Sequence, residues 1–120
     1  MKSLSSPAPK EHAEQVGFVN WFRASYPTVL IYAVPNGEHR AYSAGERLKA
    51  EGVVAGIPDL HIPEWRLWIE MKRSVGGRLS LEQRDVIKYL EKTCGQTVIV
   101  GLGAADASQK VIAFLASKIT

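Results

Sequence analysis

The stretch that decides the fold is IPDLHIPEWRLWIEMK, residues 57–72. It begins with an apolar run at 57–62, which follows a glycine and is short enough for a strand. Pro63-Glu64 then makes a turn, and the run at 66–72 returns beside the first. The pattern predicts a β-hairpin.

The second strand of this hairpin carries two charges of opposite sign. Because successive side chains of a strand point to opposite faces, Trp68, Glu70 and Lys72 share one face, and the other face is apolar. A solvated outer face would explain this pattern, since a carboxylate and a lysine two positions apart are common on exposed strands. A functional site is the alternative, and the neighbouring residues distinguish between the two explanations.

The rest of the chain alternates between helical and strand patterns. Phe18 and Phe22 belong to an apolar stripe at helical spacing in the first helix. Ser80 and Gln83 have the spacing of a capping box, which opens the third helix. Besides the hairpin, the sequence predicts helices at 9–25, 41–52, 81–93 and 106–119, and strands at 28–34 and 96–102. This order predicts an α/β fold with one mixed β-sheet flanked by helices.

Length and composition fit one globular domain. The chain has 120 residues, of which 46% are hydrophobic and 22% charged. We interpret residues 1–8 as a flexible lead and 9–120 as the domain. No apolar run approaches the ~20 residues that a membrane span needs, and the start lacks the apolar stretch of a secretory signal. We therefore expect a cytoplasmic protein with no membrane contact.

Cysteine content and net charge narrow the class of function. The single cysteine, Cys94, excludes an intramolecular disulfide and a cysteine-rich zinc site, and we expect it to be a small buried apolar residue. The net charge of +3 permits an acidic partner such as nucleic acid. The sequence has no Ser-His or Cys-His motif in the context of a small-molecule hydrolase.

The hairpin brings two acids together. Asp59 and Glu70 stand on its two strands, where their carboxylates can meet at one end beside Lys72. Mg²⁺ prefers oxygen ligands and needs only one or two protein carboxylates, with water and phosphate completing its shell. An ammonium at Lys72 could hold a water molecule or stabilise charge that develops on a phosphate oxygen. This arrangement favours the functional explanation of the charged strand face.

Several ordered blocks of the sequence support that explanation. The blocks PNGEHR, LKAEGVVAGIPDLHI, LWIEMKRSVGGRLSLEQ and CGQTVIVG resemble the virus-type replication-repair nuclease (VRR-NUC) domain of the PD-(D/E)xK nuclease superfamily. Pro58-Asp59 matches the first half of the superfamily signature, and 70–72 matches the second half. The resemblance runs from about Glu11 to Leu115.

The resemblance implies a restriction-endonuclease-like fold and a metal-dependent nuclease that acts on DNA. It implies that Asp59, Glu70 and the backbone carbonyl of Met71 hold Mg²⁺ or Mn²⁺, and that Lys72 orients and activates the attacking water. It also implies that stand-alone members act as homodimers on branched DNA, so we expect a structure-specific Holliday-junction resolvase. The alternative is a nucleic-acid-binding module that keeps the fold and does not cleave.

An acid on the first helix completes the site in the resembled family. The family pattern of a Glu followed four residues later by a Gln falls on Glu11 and Gln15. Both lie in the sector of the helix that carries Phe18 and Phe22 and should face the sheet. Glu14 is close to that sector and is the alternative ligand. A solvated acid favoured by the helix dipole is a third possibility for Glu11.

Other positions are expected to position the site or to contact DNA. Gln83 is both the partner in the capping box and, by the resemblance, a residue that borders the active site. The loop after the first predicted strand lies near the substrate in the family, although Asn-Gly is also an ordinary turn. The candidate DNA-binding residues are Asn36, His39, Arg40, Lys49, Arg73 and Arg78. The last helix and the turn at Trp65 are the candidate dimer surfaces.

Overall fold

The structure of the protein is a computed structural model that describes residues 10–35 and 42–119. The predicted lead at 1–8 and the loop at 36–41 lie outside the described residues. The helices are α1 (Glu11–Ser25), α2 (Tyr42–Ala50), α3 (Leu81–Lys88) and α4 (Ala104–Ser117). The strands are β1 (Tyr32–Ala33), β2 (Leu60–Ile62), β3 (Leu67–Lys72) and β4 (Thr97–Leu102).

The four strands form one mixed sheet in the order β1-β2-β3-β4. The first two pairs are antiparallel, and β3 and β4 are parallel. The predicted hairpin is present, with Leu60 opposite Ile69 and Ile62 opposite Leu67. The predicted α/β fold with a mixed sheet flanked by helices is confirmed.

Helices α1 and α4 cover the apolar face of the sheet. The alternate residues of β3 that face them are Leu67, Ile69 and Met71, each completely buried. Phe18 and Phe22 of α1 are equally buried, which confirms the helical stripe. Burying an apolar side chain of this size contributes about 1.5–3 kcal/mol. This core fixes β3, the strand that carries Glu70 and Lys72.

The first two strands are shorter than predicted. The first predicted strand, 28–34, is reduced to Tyr32–Ala33, because Val29 N–H bonds back to Tyr26 instead of joining the sheet. The predicted strand at 57–62 is reduced to Leu60–Ile62. Both strands therefore end close to Asp59.

The connections also differ in detail from the prediction. The turn after β2 is a 3-10 turn at Pro63–Trp65, and it ends with Arg66 at a left-handed φ of 52°. The predicted helix at 81–93 is α3 followed by a π-helical turn at Tyr89–Thr93. The last helix begins at Ala104 rather than at position 106.

Three residues outside the site differ in how deeply they are buried. In α4, Val111 is buried, whereas Ile112 is 46% exposed. Cys94 is half-buried rather than buried, because it follows the π-helical turn at the end of α3. The ring centroids of Trp65 and Phe22 lie 5.4 Å apart, so the Trp65 ring packs against the core while remaining partly exposed. In the described part of the chain, no helix is both long and apolar enough to cross a bilayer.

Candidate metal centre

The pairing of β2 with β3 stops at Leu60, two residues after Pro58, and this end of the pairing shapes the site. Since Leu60 pairs with Ile69, the same register would set Pro58 opposite Met71. Proline has no N–H to give to the ladder, so pairing stops there. The Met71 N–H is instead bonded to Asp59 Oδ2 at 2.8 Å. The dipeptide Pro58-Asp59 thus ends the strand pair and places a carboxylate against β3.

The same bond shows in which direction the Met71 carbonyl points. In a strand, the N–H and C=O of one residue point to the same side. The Met71 C=O therefore points toward the Asp59 side of β3, as expected of a backbone metal ligand. The Lys72 carbonyl points the other way, toward β4, and accepts a bond from Gly103 N–H at 2.8 Å.

Three acids from separate parts of the chain converge at this point. Glu11, Asp59 and Glu70 each offer an oxygen, and these atoms lie within 4.8 Å of one another. Oxygens bound to one Mg²⁺ at about 2.1 Å are roughly 3–4 Å apart. The group fits a divalent cation after small side-chain rotations, or with one acid bound through water. Hard carboxylate oxygens are also the donors that Mg²⁺ and Mn²⁺ prefer.

Glu70 is the most unusual group of the centre. Its pKa is raised to about 8, mainly by burial and next by the charge of Asp59, while Lys72 opposes the rise and Glu11 adds to it. Lys72 Nζ lies 3.4 Å from Glu70 Oε2. A buried carboxylate among other acids is costly without a cation to share their charge. The centre therefore has the electrostatic character of a metal site.

The solvated-face explanation of the charged strand is wrong for these two residues. Glu70 is 1% exposed and Lys72 is 8% exposed. Gln83 of α3 reaches Glu70 on this face of β3, and neither charge is on an outer surface. Burying both charges together requires specific partners.

Gln83 supplies one of those partners. Its contacts fit both expectations, since it completes the capping box and also borders the acidic group. Its side-chain oxygen accepts a bond from Ser80 N–H at 2.8 Å, and its backbone N–H donates to the Ser80 hydroxyl oxygen at 3.1 Å, so the capping box is present. Its Nε2 donates to Glu70 Oε2 at 2.9 Å. The same amide therefore caps α3 and orients the Glu70 carboxylate.

Gly56 lets α3 approach the segment that leads into Asp59. Its φ is +93°, and an added Cβ would lie 2.6 Å from the backbone oxygen of Glu82. Any other residue would be strained by its conformation and would push the helix away. Gly56 thus keeps Gln83 within reach of the centre.

The two acids of the first helix have different positions. Glu11 joins the acidic group, whereas Glu14 Oε1 accepts a bond from the backbone N–H of Ala104 at 2.8 Å. Gln15, the companion of Glu11 in the family pattern, lines a cavity of about 300 Å³ between α1 and β1. The structure therefore brings Glu11, and not Glu14, together with Asp59 and Glu70.

The basic residues expected to contact DNA are exposed where they are described. Arg73 and Arg78 flank Gly77, where an added Cβ would lie 2.7 Å from the Arg73 carbonyl oxygen and 2.8 Å from Lys72 Cβ. This loop therefore folds directly against the end of β3. Lys49 is exposed on α2 and lies 3.9 Å from Glu46. Asn36, His39 and Arg40 lie outside the described residues.

Sequence reasoning missed a row of rings on the same face of the sheet. Tyr32 hydroxyl lies 2.7 Å from His61 Nδ1, and the His61 ring stacks on Trp68 at 3.9 Å. Burial lowers the pKa of His61. His61 follows Asp59 by two residues and Trp68 precedes Glu70 by two, so the strand period could have placed these rings beside the acids.

Comparison with known proteins bears on the fold. The sequence matches no protein-family model and no curated protein. A solved structure described as a VRR_NUC domain protein superposes with a TM-score of 0.73 at 23% identity, over 90% of this chain and 89% of that one. The chain has the fold of a VRR-NUC domain. The resemblance drawn from the sequence blocks is thus confirmed at the level of the fold, and the VRR-NUC fold is the framework that holds the acidic centre.

Proposed function

We propose that this chain is a metal-dependent DNA endonuclease that hydrolyses phosphodiester bonds. The observation that carries the proposal is the convergence of Glu11, Asp59 and Glu70 within 4.8 Å, with Lys72 Nζ at 3.4 Å from Glu70. The VRR-NUC fold supports the same conclusion. A protein that only binds DNA has no need of converging acids, which repel phosphate when no cation is present.

Asp59, Glu70 and the Met71 carbonyl would hold Mg²⁺ or Mn²⁺, and Glu11 would complete the site directly or through water. A bound cation supplies a water of lowered pKa and neutralises charge on the scissile phosphate. Asp59 is held for this role by Met71 N–H, and Glu70 is held by Gln83. Both acids therefore reach the site with fixed orientation, which saves the cost of ordering them during the reaction.

Lys72 would orient the attacking water and stabilise the charge that develops on the phosphate. Its ammonium is nearly buried and stands beside Glu70, so a short movement brings it to either a water or a phosphate oxygen. Preorganised charge of this kind is worth more in a water-poor site than on a surface. Arg73, Arg78 and Lys49 would contact the DNA backbone, which positions the strand without reading its sequence.

A cleavage assay with Mn²⁺, run beside one with a chelator, tests the proposal. We expect nicking of DNA that depends on the metal and is lost when the chelator is added. A protein that binds DNA equally in both conditions and never cleaves would support the rival, a non-cleaving module. Glu11→Gln is the matched variant, because it keeps the size of the side chain and removes its charge.

We further propose that the chain acts as a homodimer on branched DNA, and that four-way junctions are its substrate. A junction has two equivalent strands to cut, which suits two active sites related by a two-fold axis. Light scattering, with cleavage of an immobile junction against linear duplex and flap controls, tests this. A monomer that cuts flaps and ignores junctions would overturn the resolvase proposal and leave the nuclease proposal standing.

A further inference from the structure

Glu14 joins two helices that are far apart in sequence. Its Oε1 accepts a hydrogen bond from the backbone N–H of Ala104, which lies 90 residues farther along the chain and is the first residue of α4. At 2.8 Å, this is a short bond between a carboxylate and an amide. It ties the first turn of α1 to the beginning of α4.

The beginning of α4 is suited to such a partner. Its N-cap residue, Gly103, has no side chain to cap the helix. The first N–H groups of a helix lack intrahelical partners, and a carboxylate there also meets the positive end of the helix dipole. An added Cβ on Gly103 would lie 3.2 Å from Glu14 Oε2, so glycine leaves room for the carboxylate.

The same end of α4 is fixed to the strand that carries the active-site residues. Gly103 N–H donates to the carbonyl oxygen of Lys72 at 2.8 Å. Glu14 is therefore bonded to the residue that follows Gly103, and Gly103 is bonded to the backbone of Lys72. A continuous path of one side-chain–backbone bond, one peptide unit and one backbone–backbone bond links α1 to the end of β3.

The first turn of α1 needs this link. Glu11 is the first residue of the helix, and its N-cap, Lys10, makes no side-chain cap. A helix end without a cap frays at little cost in free energy. The backbone bond from Glu14 N–H to Lys10 O, at 3.1 Å, closes the turn, and the Glu14 side chain anchors it.

We infer that Glu14 is a positioning residue for the metal centre: by anchoring the first turn of α1 to α4, it holds the Glu11 carboxylate beside Asp59 and Glu70 without being a ligand itself. The inference rests on the proposed function. It also separates the two acids of the first helix, because one would bind the metal and the other would hold the first in place.

Three variants test this inference by Mn²⁺ calorimetry and by hydrogen exchange in the metal-free protein. Glu14→Ala removes the acceptor, and we expect Mn²⁺ affinity to fall roughly 10- to 100-fold, as for lost outer-shell partners, with faster exchange at 11–18. Glu14→Gln keeps an oxygen that can accept from Ala104, and we expect it to restore both properties. Asp106→Ala is the control, because Asp106 bonds Leu102 N–H at 2.8 Å at the same end of α4 and does not touch α1 in any bond described. It should lower the melting temperature and leave Mn²⁺ affinity unchanged.

The outcomes separate the possible roles. Equal losses in Glu14→Gln and Glu14→Ala would overturn the inference, because the effect would then depend on the charge of Glu14 and not on the hydrogen bond to Ala104. Unchanged Mn²⁺ affinity in a folded Glu14→Ala would overturn it too, because the bond would then be structural only. Absence of Mn²⁺ binding by the wild-type protein would overturn the proposed function, and hydrogen exchange at 11–18 would still decide whether Glu14 anchors the turn.

Discussion

Two carboxylates near the ends of neighbouring parallel strands have pKa values that are shifted in opposite directions. Glu70 lies in β3, and Asp106 lies in the first turn of α4, just after β4. Each has a lysine close by, Lys72 at 3.4 Å and Lys110 at 2.9 Å. Yet the pKa of Glu70 is raised to about 8, whereas a bond from Leu102 N–H and then the bond from Lys110 lower the pKa of Asp106.

The difference shows that a lysine partner does not decide the state of an acid. Asp106 is partly exposed, and its bonds favour the charged form. Glu70 is buried beside Asp59 and Glu11, so both burial and like charges disfavour that form. An acid such as Asp106, whose hydrogen bonds stabilise its charged form, has a structural role. An acid held close to other acids is the one that gains from a cation, and this contrast supports the proposed metal site at this end of the sheet.

The largest expected effect separates the two acids directly. Asp59→Ala and Glu70→Ala should each abolish cleavage, and Mn²⁺ affinity should fall by more than the roughly 10- to 100-fold that loss of an outer-shell partner costs. Asp106→Ala should keep its cleavage. Unchanged Mn²⁺ affinity in both active-site variants, measured by calorimetry, would remove the metal assignment.

The two lysines provide the next comparison. Lys72→Ala should lower turnover by roughly 10²–10⁴, the range for loss of a positioned proton-transfer or charge-stabilising group, with DNA binding nearly intact. Lys110→Ala should leave turnover unchanged, since its ion pair is partly exposed and contributes at most about 1 kcal/mol. Single-turnover cleavage with a binding titration measures both. Near-wild-type cleavage by Lys72→Ala would contradict its proposed role.

The two contacts of Gln83, with Ser80 and with Glu70, can be tested separately. Ser80→Ala removes the bond from Gln83 N–H to the Ser80 hydroxyl and should cost about 1 kcal/mol of stability with little change in turnover. Gln83→Ala removes the other bond of the capping box and also the bond to Glu70, so it should lower turnover by roughly tenfold as well. Urea unfolding and cleavage rates measured on both variants test this. Equal turnover in the two variants would leave Gln83 as a cap only.

The pH dependence of stability should show the opposite shifts of the two acids. The Glu70 pKa rises from 4.5 to about 8 on folding, so the folded state holds an extra proton between these values. Stability of the metal-free protein should therefore fall as pH rises from 5 to 8, and Glu70→Gln should flatten that slope. The same slope in wild type and variant, by urea unfolding in chelator, would contradict the shift.

Asp106 gives the reverse sign at lower pH. Because its folded pKa lies below the ordinary 3.8, its contribution is present above that value and is lost as pH falls through the folded pKa. Asp106→Asn should therefore reduce the loss of stability in acid and leave the slope between pH 5 and 8 unchanged. A change of slope in that upper range would contradict this separation.

The sequence by itself determined the fold class and the identity of the central acids. The period of two in β3 put Glu70 and Lys72 on one face, and the capping spacing fixed the start of α3 at Leu81. These features depend on neighbours within a few residues, where backbone geometry leaves little choice. The blocks around Asp59 carried the resemblance that the VRR-NUC fold confirms.

Only the tertiary structure decided which acids meet and what state they hold. Glu11 and Glu14 lie three residues apart with the same side chain, and the sequence left both open as ligands. Contact with Ala104, 90 residues away, gives Glu14 a structural partner, and the folded chain brings Glu11 close to Asp59 and Glu70. The raised pKa of Glu70 likewise depends on burial and on charges from other segments, which no local pattern encodes.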